Sequence, residues 1–103
     1  MQPQPPKQQI QVHLEENVAE GIYANLVAMT HSASEMVLDF IRVMPGVPKA
    51  KVQSRIIMTP QNAKAFQKAL SDNISKFEEK FGEIKLTQLD EQRIFGFRTG
   101  QVE

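Results

Sequence analysis

Thr59-Pro60 and Gly82 bracket the part of this chain that most restricts how it can fold. A threonine hydroxyl accepts one of the free N–H groups at a helix start. Proline at the first helical position gives up an N–H that would have no partner there. Glycine just past the last turn takes the left-handed conformation that stops a helix. Between these ends Ala63, Phe66, Leu70, Ile74, Phe77 and Phe81 recur at steps of three and four. The spacing predicts one helix from Pro60 to Phe81 with a single apolar stripe. Such a stripe needs a cover, and the expectation is that Phe66, Leu70, Ile74 and Phe77 are buried against a sheet. Core packing, rather than a ligand pocket, explains phenylalanines at this spacing.

The sheet is read from the alternating segments before the helix. Gln9 to Glu15 places Ile10, Val12 and Leu14 on one side and Gln9, Gln11 and His13 on the other, as in a half-buried strand. Glu16-Asn17 is read as a turn. Gly21 to Thr30 and Glu35 to Met44 are apolar on both sides, and His31-Ser32-Ala33-Ser34 joins them at hairpin length. Pro45-Gly46-Val47-Pro48 breaks the chain, because proline cannot donate to a ladder. Ala50 to Met58 alternates more sharply, with Val52, Ser54, Ile56 and Met58 opposed to Lys51, Gln53 and Arg55. The expected fold class is α+β: a four-stranded antiparallel β-meander followed by one long amphipathic helix.

A chain of 103 residues has the size of one domain. Its expected division is a disordered arm over residues 1–8, a sheet-plus-helix domain over 9–84, and a tail over 85–103 that is extended or partly disordered. Three prolines in the arm block regular pairing. In the tail, Arg93-Ile94-Phe95-Gly96-Phe97-Arg98 is an apolar patch flanked by base, able to fold back on the domain or dock on a partner. No apolar run approaches the ~20 residues of a membrane span. The N-terminal residues lack the apolar core of a secretory signal, and there is no cysteine. A cytoplasmic location without membrane contact is the expectation.

Net charge is zero, but its distribution is uneven. Residues 1–39 set five acids against Lys7, and residues 72–92 set six acids against three lysines. Between them, Arg42, Lys49, Lys51, Arg55, Lys64 and Lys68 occur without a single acid from 40 to 71. Arg42, Lys49, Lys51 and Arg55 are the candidate site for an anionic partner. Shared strand parity predicts that Lys49, Lys51 and Arg55 line up on one side. Against a nucleic-acid partner stand the neutral total charge and the absence of aromatic residues interleaved with these bases.

No catalytic, cofactor-binding or metal-binding set is expected. His13 and Glu15 share a strand face but lack a third ligand. His31 with Ser32 and Ser34 lacks an assured orienting group, so the serines are read as turn-stabilising hydroxyls. The five glycines form no phosphate cradle. Asp39 is the anomaly: an acid among Val37, Ile41 and Val43, which must be paired or solvated. Arg55 on the neighbouring strand is its candidate partner.

Two blocks carry a resemblance. Tyr23-Ala24-Asn25-Leu26-Val27 is followed by His31-Ser32 and Glu35-Met36-Val37-Leu38-Asp39-Phe40. Arg55-Ile56-Ile57-Met58-Thr59-Pro60 is followed by Ala63-Lys64, Asn73, Phe77-Glu78 and Phe81-Gly82. Together they resemble the bacterial family catalogued as domain of unknown function 3467, over about residues 10–84. Met36 departs from the pattern, which leads one to expect an aromatic. The resemblance implies a bacterial origin and brings no enzymatic activity with it. The functional expectation is a non-enzymatic homo-oligomeric protein-interaction module with a further protein partner. The alternative is a nucleic-acid-binding or transcription-associated accessory protein using the basic 42–55 region. One helix covers only one face of a sheet, and a second subunit is the expected cover for the rest.

Overall fold

A computed structural model describes residues 10–96. The expected arm over 1–8, Gln9, and the Phe97-Arg98 end of the basic-flanked patch lie outside the described residues. Three strands, β1 (Leu26–His31), β2 (Met36–Arg42) and β3 (Lys51–Met58), form an antiparallel meander. A 22-residue helix, α2 (Pro60–Phe81), follows β3 directly. A four-residue turn of helix, α1 (Glu16–Ala19), precedes the sheet. A short helix, α3 (Gln88–Gln92), and a three-residue strand, β4 (Ile94–Gly96), come after α2.

The four-stranded meander is corrected at its first strand. Residues 10–15 are extended chain without a ladder, and Ile10, Val12 and Leu14 are exposed. Alternation makes a segment able to pair, but pairing needs a free edge beside the next strand. Here that edge of β1 is taken by β4, which runs parallel to it with Val27 opposite Ile94 and Met29 opposite Gly96. The Val27 N–H donates to the Arg93 carbonyl at 2.7 Å. The tail thus supplies the neighbour that the N-terminal segment was expected to be. The expected turn at Glu16-Asn17 is instead the start of α1, whose Val18 and Ala19 N–H groups donate to the Glu15 carbonyl.

β1 also begins later than the apolar pattern suggests. Gly21 sits at φ 76°, a left-handed conformation open to glycine, and turns the chain before the strand. Asn25 then closes the end of the β1–β2 ladder with its side chain. Its Nδ2 donates to the Val43 carbonyl at 3.0 Å, and its Oδ1 accepts the Val43 N–H at 2.8 Å. An amide side chain thereby replaces a backbone partner. At the other end of the hairpin the Ser32 hydroxyl accepts the Ser34 and Glu35 N–H groups, the turn role expected of it.

The helix has the predicted ends. Thr59 Oγ1 accepts the Asn62 N–H, Pro60 opens the first turn, and Gly82 leaves the helix at φ 99°. Its environment is different from the expected one. Phe66, Leu70, Ile74 and Phe77 are between 40 and 48% exposed, and Phe81 is 67% exposed. The stripe is therefore not buried against the sheet. Among the described side chains the buried apolar ones are Ala28, Leu38 and Ile41, all on the two central strands. The radius of gyration is 17.5 Å, against about 13 Å for a compact chain of 100 residues.

α3 is held by a reciprocal cap in which Thr87 Oγ1 accepts the Asp90 N–H and Asp90 accepts the Thr87 N–H. The backbone bond from Thr87, and then its hydroxyl, hold the Asp90 carboxyl below the usual carboxylate range. This contribution is present above the ordinary carboxylate pKa and is lost as pH falls through the lowered value.

Asn25→Ala leaves the Val43 N–H and carbonyl without partners. It is expected to lower stability by about 1–2 kcal/mol in urea melts. No change would show that water satisfies Val43 equally well.

Candidate functional site

Cross-strand register assigns the side chains to two faces, since directly paired residues point the same way. Met29 is paired with Leu38, Leu38 with Ile56, and Met36 with Met58, so these share one face. Ala28 is paired with Asp39 and Asp39 with Arg55, so these share the other.

The first face and the start of α2 enclose an apolar cleft of about 510 Å³. Met29, Met36 and Leu38 form its floor, and Pro60, Ala63, Phe66 and Leu70 line the helix side. Lys64 and Gln67 stand at the cleft as well. The stripe continues beyond it along α2 to Phe77 and Phe81, whose rings are 4.9 Å apart and tilted by 43°. Methionine is unbranched and adapts to partners of irregular shape. Alternation alone does not single out the two methionines of the floor. Their signal was present: Met29 and Met36 flank a short hairpin link, so an antiparallel register brings their strands together.

On the opposite face Asp39 is 2% exposed and forms a two-pronged pair with Arg55. Arg55 Nε donates to Oδ1 at 2.7 Å and Nη2 to Oδ2 at 2.9 Å. The hydrogen bonds to Asp39, and then its charge, hold the Arg55 guanidinium above its ordinary pKa. The candidate partnership read from the sequence is thus present.

This pair changes the basic site. β3 carries a bulge: Ser54 opposes Phe40 but Val52 opposes Ile41, so Gln53 is the extra residue. One extra residue reverses the side on which all preceding residues point. Lys51, opposite Arg42, therefore lies on the face away from Arg55, and the expected alignment of Lys49, Lys51 and Arg55 fails at the bulge. Arg42 and Lys51 are neighbours across β2 and β3. The Arg42 guanidinium stands 5.9 Å from the centre of the Tyr23 ring, an aromatic contact from a distant segment. Lys49 is exposed in the loop before β3. His13 and Glu15 are exposed, and among the described residues no three acids or histidines gather as metal ligands. No described helix is long and apolar enough to cross a membrane.

The family described as "Protein of unknown function (DUF3467)" matches residues 1–86. The chain belongs to that family. The match includes the sheet, the Asp39–Arg55 pair and the whole of α2, and it ends before α3 and β4. No curated protein and no solved structure matches the chain.

The burial asymmetry of the ion pair makes a direct prediction. Arg55→Ala strands the Asp39 carboxylate, and an unpaired buried carboxylate costs about 3 kcal/mol. Asp39→Asn leaves Arg55, which is half exposed, free to meet water. The first variant is expected to melt at clearly lower denaturant than the second. Equal losses would mean that Asp39 finds water when Arg55 is removed.

Proposed function

We propose that the chain is a non-enzymatic, homo-oligomeric protein-interaction module of the bacterial cytoplasm. The observation that supports this most is the exposure of the α2 stripe. Five large apolar side chains on one side of a helix lie 40–67% exposed, next to a cleft that its own sheet does not fill. Complete burial of one such side chain contributes about 1.5–3 kcal/mol. The described core contains three buried apolar residues, which is little support for a chain of this size. A second copy as the cover supplies what one chain lacks, and any further protein partner would meet the surface that the oligomer leaves open.

The nucleic-acid reading keeps one specific observation, the adjacency of Arg42 and Lys51 with Arg42 over Tyr23. It loses Arg55, whose charge is matched by Asp39. A site built on Arg42, Lys49 and Lys51 would bind single strands with a salt dependence of about 0.7 log units per phosphate contact.

Light scattering at micromolar concentration is expected to give at least twice the 11.7 kDa chain mass. Leu70→Asp, a charge in the stripe, is expected to shift the mass to a single chain or to unfold it. A folded wild-type monomer would overturn the oligomeric proposal. Fluorescence anisotropy with a single-stranded oligonucleotide at low salt tests the alternative, and no binding there would remove it.

A further inference from the structure

The stripe on α2 is close to palindromic. About a centre at position 72, Ala63 mirrors Phe81, Leu70 mirrors Ile74, and Phe66 mirrors a point one residue from Phe77. Two copies of this helix laid antiparallel across a two-fold axis would therefore set apolar residue against apolar residue along their length. Size also matches at the ends, with small Ala63 opposite large Phe81. Ala63 and Phe66 line the cleft over Met29, Met36 and Leu38, while Phe77 and Phe81 form a preassembled, exposed aromatic pair. A cavity of about 150 Å³ accepts one benzene ring, so about 510 Å³ has room for both rings.

Charge is complementary in the antiparallel direction. The first half of α2 carries Lys64 and Lys68 and no acid, whereas the second carries Asp72, Glu78 and Glu79 with Lys76 and Lys80. At about 100° per residue, Lys64 and Glu78 fall on one flank of the stripe and Lys76 and Lys80 on the other. An antiparallel two-fold pair brings each flank against its own copy, so Lys64 meets Glu78 of the second copy twice. Parallel pairing would set each flank against the opposite flank of the second copy, with Glu78 beside Lys76 and Lys80 there and Lys64 without an acid to meet. Glu78 is also positioned, because its Oε2 accepts the Ile84 N–H at 2.8 Å.

We propose that the cleft is occupied by a second copy of this chain: α2 pairs antiparallel with α2 of that copy, and the Phe77–Phe81 pair of each fills the cleft of the other. The inference rests on the self-association proposed above and adds its geometry. The cleft is then a completed core rather than a ligand pocket, and each subunit closes the other's sheet face.

The lack of cysteine allows a clean test. Ala63→Cys chains mixed with Phe81→Cys chains should form a disulfide between copies under mild oxidation. Ala63→Cys chains alone should not, because nine residues from the axis on each copy separates them by about 27 Å, beyond the reach of a disulfide. Self-linking of Ala63→Cys would show parallel pairing and overturn the inference. Charge reversal keeps the aromatic pair intact as a second test. Lys64→Glu and Glu78→Lys should each associate several-fold more weakly than wild type, while a mixture of the two recovers wild-type affinity. A dimer mass without the mixed disulfide and without this recovery overturns the geometry and leaves self-association standing. A monomer mass for the wild type overturns both.

Discussion

Water must be kept from the apolar side of α2, and the single chain does this only in part. The helix is locally well specified by Thr59, Pro60 and Gly82, so its stripe runs as one narrow band from Ala63 to Phe81. The sheet beneath is three antiparallel strands wide with a short parallel addition, and among the described side chains its buried apolar residues are Ala28, Leu38 and Ile41. Half-exposed phenylalanine, leucine and isoleucine side chains at regular helical spacing leave a long apolar band, which the proposed second copy would cover. The unfilled cleft expresses the same shortage of cover.

The polar features position this surface. The Asn25–Val43 bonds close one end of the β1–β2 ladder and the Ser32 turn closes the other. That fixes the register that sets Met29 beside Leu38. Asp39 and Arg55 pin β2 to β3 from the opposite face, where a buried carboxylate tolerates few other registers. β3 then runs straight into the capped start of α2. A one-residue slip at any of these points would turn Met29, Met36 and Leu38 away from the helix.

What was legible in the sequence was local. Thr59, Pro60, Gly82 and the steps of three and four gave both ends of α2, because caps and periodicity depend on neighbours within a turn. The Asp39–Arg55 pair was open to inference because an acid in an apolar strand demands a partner. Three features depend on distant contacts and are not legible in the local pattern. The segment from Ile10 to Glu15 alternates like a strand, but β4 holds the edge it would need. The bulge at Gln53 carries no glycine or proline to announce it, so strand parity alone puts Lys51 and Arg55 on one side. The cover of the stripe is the third, since a helical pattern tells how wide an apolar face is and not what lies on it.

Amide hydrogen exchange along α2 at two protein concentrations tests the completed core most directly. If a second copy covers the stripe, protection of residues 66–81 rises with concentration, because opening this helix requires the copies to separate. The strands β1 and β2 should change less at their paired centre. Protection of α2 that is high and independent of concentration would contradict a shared core and show that the single chain covers its own helix.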